Sequence, residues 1–151
     1  GSCNVYRVDP GTGKIEAVIT DMTRPNGIAF SLDETKLYVS DTGRTHQGAK
    51  EADLMVFDIG RRGRPTKGRA FANCTAGLFD GFRLDTSGRI WTSAADGVHV
   101  YEANGDLIGK VKVPEVVANV AWGGSKRNVL YICGTTSLYA VRLMINGANY
   151  R

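Results

Sequence analysis

The sequence predicts an all-β fold: a β-propeller of four-stranded antiparallel blades, with about three blades in this chain. Apolar residues alternate with a period of two in short runs, and no period of 3.6 persists for three helical turns. Nineteen glycines against four prolines indicate many tight turns. Two strand motifs also recur at a spacing of roughly 40 to 50 residues, which is the length of a propeller blade.

The composition is that of a globular protein and excludes several classes of function. At 151 residues, 42% hydrophobic and 23% charged, the chain can bury a core of its own. The net charge of +4 is concentrated in one loop, so no nucleic-acid partner is predicted. No apolar run approaches the roughly 20 residues that span a bilayer, so no membrane partner is predicted. No signal peptide pattern is visible, which slightly favours a cytoplasmic location.

The first predicted segment, residues 1–21, is a partial blade. Alternating residues 4–9 lead into the turn Asp9-Pro10-Gly11-Thr12-Gly13, and alternation resumes at residues 14–20. This pattern is typical of a β-hairpin.

The second segment, residues 24–73, is predicted to be a complete blade. It opens with the turn Arg24-Pro25-Asn26-Gly27 and continues into an apolar strand. Three further strands are expected at 36–41, 54–58 and 68–73. The polar stretch from 41 to 51 indicates an exposed loop. His46 in this loop could line a substrate entrance, although a solvated loop histidine is the favoured interpretation.

The third segment, residues 78–113, repeats this plan, with Phe79-Asp80-Gly81 at its start. The last segment, residues 116–145, is a partial blade that begins with a degenerate copy, Ala118-Asn119-Val120. Aromatic residues at repeat positions are predicted to fill the core between blades; they are Phe30, Tyr38, Trp91 and Trp122.

The strand count leaves the propeller incomplete. Thirteen predicted strands make little more than three blades, whereas a closed propeller needs about four to eight. An open arc would expose apolar faces and unpaired strand edges. Two alternatives stay open: the chain lacks an N-terminal half, or two copies associate head to tail into a homodimer of about six blades.

Asn26 and Asp80 are the candidate site residues. They occupy the same position in adjacent repeats, so their side-chain oxygens are expected to converge on the propeller axis. Hard divalent cations prefer such oxygen ligands. The alternative is that Asn-Gly and Asp-Gly simply form turns. On the residues alone, both interpretations stay open.

A basic segment at residues 61–69 contains Arg-Gly-Arg-Pro, which resembles the core of an AT-hook that inserts arginines into a DNA minor groove. The favoured interpretation is a solvated turn between the outer strands of a blade. The three cysteines, Cys3, Cys74 and Cys133, lack the spacing of a metal site, and a disulfide among them is neither predicted nor excluded.

Several motifs together resemble the gluconolactonase family that includes regucalcin. They are Arg24-Pro25-Asn26-Gly27, Leu37-Tyr38-Val39-Ser40-Asp41-Thr42, Phe79-Asp80-Gly81, Asn119-Val120-Ala121-Trp122-Gly123-Gly124 and Leu130-Tyr131-Ile132-Cys133-Gly134-Thr135. The likeness covers essentially the whole chain, which looks like the C-terminal half of a family member. It implies a six-bladed propeller with one divalent cation, with Ca²⁺ the expected ion, and hydrolysis of small sugar lactones.

The resemblance also assigns roles to the candidate residues. Asn26 and Asp80 match the family's metal ligands, and Asp80 matches its proposed general base. A glutamate ligand and the arginine and asparagine that contact substrate belong to the N-terminal half and have no counterpart here. The implied function is calcium-dependent hydrolysis of sugar lactones, with this chain supplying part of the metal site. The alternative is a non-catalytic half-propeller fragment, or a self-assembling scaffold without turnover.

Overall fold

The computed structural model describes residues 3–44 and 53–149. These residues form thirteen β-strands and one 3-10 turn, η1 (Arg61–Gly63), so the all-β prediction is confirmed. The strands are β1 (Val5–Val8), β2 (Ile15–Ile19), β3 (Pro25–Phe30), β4 (Lys36–Asp41), β5 (Leu54–Asp58), β6 (Arg69–Ala72), β7 (Phe82–Leu84), β8 (Ile90–Ala94), β9 (Gly97–Tyr101), β10 (Leu107–Lys112), β11 (Val117–Gly123), β12 (Val129–Gly134) and β13 (Leu138–Arg142). No helix among the described residues is long enough to cross a membrane.

The strands form four antiparallel sheets in chain order. β1 and β2 make a two-stranded sheet, β3 to β6 and β7 to β10 make four-stranded sheets, and β11 to β13 make a three-stranded sheet. Within each sheet, every strand pairs with the strand next to it in sequence, as in the blades of a propeller. The first strands of the second, third and fourth sheets lie side by side, since β7 contacts both β3 and β11. We propose that each sheet is a blade or part of one.

Three apolar clusters hold the four sheets together. Ile19 of β2 packs with Leu37 and Phe57 of the second sheet. A larger cluster containing Tyr38 and Phe79 joins the second and third sheets. The last cluster joins the third and fourth sheets, and its main members are Trp91, Val98, Val120, Trp122 and Leu130. The rings of Trp91 and Trp122 meet edge to face, with centroids 5.3 Å apart.

The prediction of a buried Phe30 is wrong, whereas Tyr38, Trp91 and Trp122 are buried as expected. Phe30 is 42% exposed and lies on the same face of β3 as Ile28, which is also exposed. Within the described residues, the neighbouring sheet on this side consists of β1 and β2. Those strands cover the apolar face of β4 and β5 but leave the adjoining face of β3 open.

A second open face lies on the fourth sheet. Tyr131 and Leu138 are exposed there, because no further sheet follows β11 to β13 in the described part of the chain. The structure therefore has two incompletely covered apolar faces, one at each end of the row of sheets.

Candidate functional site

Asn26, Asp80 and Asn119 stand at the starts of the first strands of three consecutive sheets, and we call them the head residues. The structure brings the two predicted site residues together: Asn26 Nδ2 donates a hydrogen bond to Asp80 Oδ1 over 2.9 Å. Because this bond uses the nitrogen of the amide, Asn26 Oδ1 faces away from the carboxylate. The pair thus presents an amide oxygen and a carboxylate side by side.

A serine hydroxyl fixes the relative position of Asn26 and Asp80. The β3–β4 pairing is irregular between Pro25 and Ile28, which releases the Gly27 N–H from the strand ladder. That N–H donates to Ser40 Oγ over 2.7 Å, and Ser40 Oγ donates in turn to the Asp80 carbonyl over 2.7 Å. Ser40 is completely buried. Its hydroxyl therefore links the second sheet to the third beneath the site.

Ser93 holds the other side of Asp80. The Asp80 N–H donates to Ser93 Oγ over 2.8 Å, and the Ser93 N–H donates to the Gly81 carbonyl. Sequence reasoning missed both serines. The available signal was their placement: Ser40 follows Tyr38, and Ser93 follows Trp91, by two residues, so each is a small polar residue in an apolar strand at one repeat position.

The glycines that follow the head residues are needed for close approach between sheets. A Cβ atom on Gly27 would lie 2.2 Å from the Asp80 carbonyl oxygen, and one on Gly81 would lie 2.0 Å from Asn119 Oδ1. Neither glycine has a positive φ. A left-handed turn conformation is therefore not the reason that these two positions require glycine.

Burial raises the pKa of the Asp80 carboxyl above its usual value, because a half-buried carboxylate loses part of its hydration. Within the described residues no salt bridge reaches Asp80, and Asn26 supplies the only hydrogen bond to its carboxylate. Asp80 is therefore a carboxylate whose remaining oxygen is available to a ligand.

Among the described residues, His99, Arg64 and the three cysteines make no hydrogen bond or ion pair with Asn26 or Asp80. His46 lies outside the described residues. His99 is buried, and its Nε2 lies 2.6 Å from Asp96 Oδ1. In the basic segment, Arg64 forms an ion pair with Glu16 over 2.7 Å. The described cysteines are all free thiols.

The donor set is small. Within the described ranges, no group of three or more His, Cys, Asp or Glu residues could hold a metal ion. Asn26 and Asp80 supply two oxygen-bearing side chains, whereas Ca²⁺ takes six to eight oxygens. The chemistry of the pair suits a hard cation, and its number of ligands suits only part of one coordination shell.

Residues 1–136 match the family described as SMP-30/Gluconolactonase/LRE-like region. The chain belongs to this family. A gluconolactonase from Zymomonas mobilis is 29% identical over 148 residues, which cover 91% of this chain and 40% of that protein.

Solved structures of family members share the fold. A gluconolactonase from Xanthomonas campestris superimposes with a TM-score of 0.82 at 34% identity, covering 93% of this chain and 44% of that one. Regucalcin from Agrobacterium tumefaciens, described as a calcium-binding protein, gives a TM-score of 0.75 at 25% identity, covering 99% and 55%. The predicted family and propeller fold are confirmed, and the chain spans about half the length of these proteins.

Proposed function

We propose that this chain supplies part of the active site of a calcium-dependent enzyme that hydrolyses sugar lactones. The observation that carries the proposal is the 2.9 Å hydrogen bond between Asn26 Nδ2 and Asp80 Oδ1 at the starts of two neighbouring sheets. Relatives named gluconolactonase give the class of substrate. The role of each residue follows from its chemistry.

Asp80 acts as the general base. Lactone hydrolysis requires removal of a proton from the water that attacks the carbonyl carbon. Burial raises the pKa of the Asp80 carboxyl, whereas a bound cation would lower it, so the base role is argued from position: no described residue hydrogen-bonds Asp80 Oδ2. The Asn26 amide orients that carboxylate through Oδ1 and leaves Oδ2 for the water.

Asn26 Oδ1 and the Asp80 carboxylate would hold the cation. A bound divalent cation polarises a carbonyl oxygen and lowers the pKa of a coordinated water. The remaining oxygens come from outside the described residues, either from an N-terminal half or from a second copy of this chain. The N-terminal half or the second copy would pack against the exposed apolar faces around Phe30 and Leu138.

Calcium titration of matched variants tests the proposal. Asp80→Asn removes the charge and keeps the shape, and we expect the calcium affinity to fall by about tenfold or more, or about 1.4 kcal/mol. Asp106→Asn is the control, since Asp106 lies in the β9–β10 turn at the other end of its sheet. Hydrolysis of D-glucono-δ-lactone, measured with and without chelator, should follow the calcium affinity.

The solution mass of the same samples identifies the source of the missing ligands. A dimer that binds calcium supports closure by a second copy. Calcium binding that is equal in parent and Asp80→Asn would contradict the assignment of Asp80. A chain that binds no calcium and turns over no lactone would instead support the alternative, a half-propeller without catalysis. The small number of metal-ligating side chains among the described residues is the observation that favours this alternative.

A further inference from the structure

Asn119 occupies the third head position, and its side chain lies against the residue that follows Asp80. The Gly81 N–H donates to the Ala118 carbonyl over 3.0 Å, which joins the third and fourth sheets at this point. A Cβ atom on Gly81 would lie 2.0 Å from Asn119 Oδ1 and 2.9 Å from Asn119 Nδ2. The amide of Asn119 therefore covers Gly81, on the side of Asp80 away from Asn26.

The orientation of this amide is set by the backbone. The Val120 N–H donates to an Asn119 side-chain atom over 2.8 Å, and that atom must be the oxygen because a backbone N–H cannot accept. Asn119 Nδ2 donates no hydrogen bond to any described residue, and the side chain is exposed. The two N–H donors of Asn119 therefore have no hydrogen-bond acceptor among the described residues.

Asn119 and Asn26 thus offer opposite chemistry. Asn26 commits its nitrogen to Asp80 and leaves its oxygen, which suits a cation. Asn119 commits its oxygen to Val120 and leaves its nitrogen, which suits an oxygen acceptor. The ring oxygens and hydroxyls of a sugar lactone are acceptors of this kind.

We infer that Asn119 binds substrate, with Nδ2 donating a hydrogen bond to an oxygen of a polyhydroxylated lactone held beside Asp80. The inference takes its substrate class from the proposed function. It is otherwise independent of calcium, because the geometry leaves Asn119 a donor and not a ligand.

Two variants separate this role from a structural one. Asn119→Asp keeps the oxygen that accepts from Val120 N–H and removes both N–H donors, while Asn119→Ala removes the whole amide. Asn104→Ala is the control, since Asn104 lies in the β9–β10 turn, at the far end of its sheet. The probe is D-glucono-δ-lactam, a neutral and hydrolysis-resistant analogue, titrated by calorimetry into the 151-residue chain.

We expect both Asn119 variants to bind the lactam about tenfold more weakly, the effect of one lost hydrogen bond to the bound ligand. Calcium affinity should not weaken in either variant. Where turnover is measurable, the KM for D-glucono-δ-lactone should rise by a similar factor with little change in kcat.

Each other outcome has a distinct meaning. Lactam binding equal to that of Asn104→Ala overturns the inference and leaves the proposed function intact. Loss of calcium binding in Asn119→Ala makes Asn119 a ligand and also overturns it. A parent chain that binds no lactam overturns it too, and the calcium titration then decides the proposed function alone. Weaker lactam binding in both variants of a chain without calcium or turnover supports the inference and refutes the proposed function.

Discussion

Replacing Ser40 by alanine tests whether the link between the second and third sheets holds the site together. The Ser40 hydroxyl accepts from the Gly27 N–H and donates to the Asp80 carbonyl, both over 2.7 Å. Alanine keeps the backbone conformation and the small volume but leaves both groups without their partner. Because Ser40 is completely buried, water does not readily take the place of the hydroxyl.

The expected cost follows from counting those two groups. A buried backbone N–H or C=O that loses its partner costs about 1 to 3 kcal/mol. Both groups are partly buried, so the lower half of that range applies to each, and the free energy of unfolding should fall by about 2 to 4 kcal/mol. Since single domains are stable by about 5 to 15 kcal/mol, this is a large fraction of the total.

Urea unfolding followed by tryptophan fluorescence measures the effect, since Trp91 and Trp122 are both buried between sheets. Thr92→Val is the matched control, because Thr92 is equally buried but its hydroxyl makes a single long bond of 3.4 Å. We expect the control to cost less than about 1 kcal/mol. A Ser40→Ala variant as stable as Thr92→Val would refute the reasoning. Calcium affinity should fall with Ser40→Ala, since the Asn26–Asp80 spacing depends on this link.

Two further predictions concern other parts of the fold. In Gly147→Ala, the new Cβ would lie 2.0 Å from Trp122 Cγ, so the C-terminal segment around Gly147 should detach from β7. The Ala148 amide, which donates to the Leu84 carbonyl, should then lose its protection from hydrogen exchange. Unchanged protection would contradict this. The backbone N–H of Thr136, with nearby hydroxyls, lowers the pKa of Glu115 from 4.5 to about 2. Because the pKa is lower in the folded state, ionised Glu115 stabilises the fold above pH 4.5, and this stabilisation is lost as the pH falls towards 2. The Tm of Glu115→Gln should therefore fall less steeply over this pH range than the Tm of the parent. Parallel Tm curves would contradict the assignment.

The strands were predictable because alternating or short apolar runs bounded by turn residues are typical of β-strands. The predicted strands at 36–41 and 54–58 coincide with β4 and β5. The failure at Phe30 has a physical cause: alternation shows which face a residue shares but not whether a neighbouring sheet covers that face. Within the described residues the first sheet consists of β1 and β2, and neither strand covers the Phe30 side of β3.

The C-terminal segment was not predictable for a related reason. Beyond β13 the chain turns back, and the Ala148 N–H donates to the Leu84 carbonyl over 2.9 Å, while Gly147 bridges to Asp85. This contact joins residues more than sixty positions apart and has no period in the sequence. Asn26 and Asp80 also lie far apart in the sequence, yet their juxtaposition was predictable because both residues belong to a repeat.

The repeat also explains where the hydroxyl link is absent. Aligning Leu37-Tyr38-Val39-Ser40 with Leu130-Tyr131-Ile132-Cys133 places Cys133 at the position of Ser40. Ser40 is buried against the Asp80 carbonyl of the next sheet, whereas Cys133 is exposed and has no following sheet within the described residues. A thiol is a weak donor and could not replace the hydroxyl in this link. Whatever sheet covers β11 to β13 must therefore be held by contacts other than the one that joins Asn26 to Asp80.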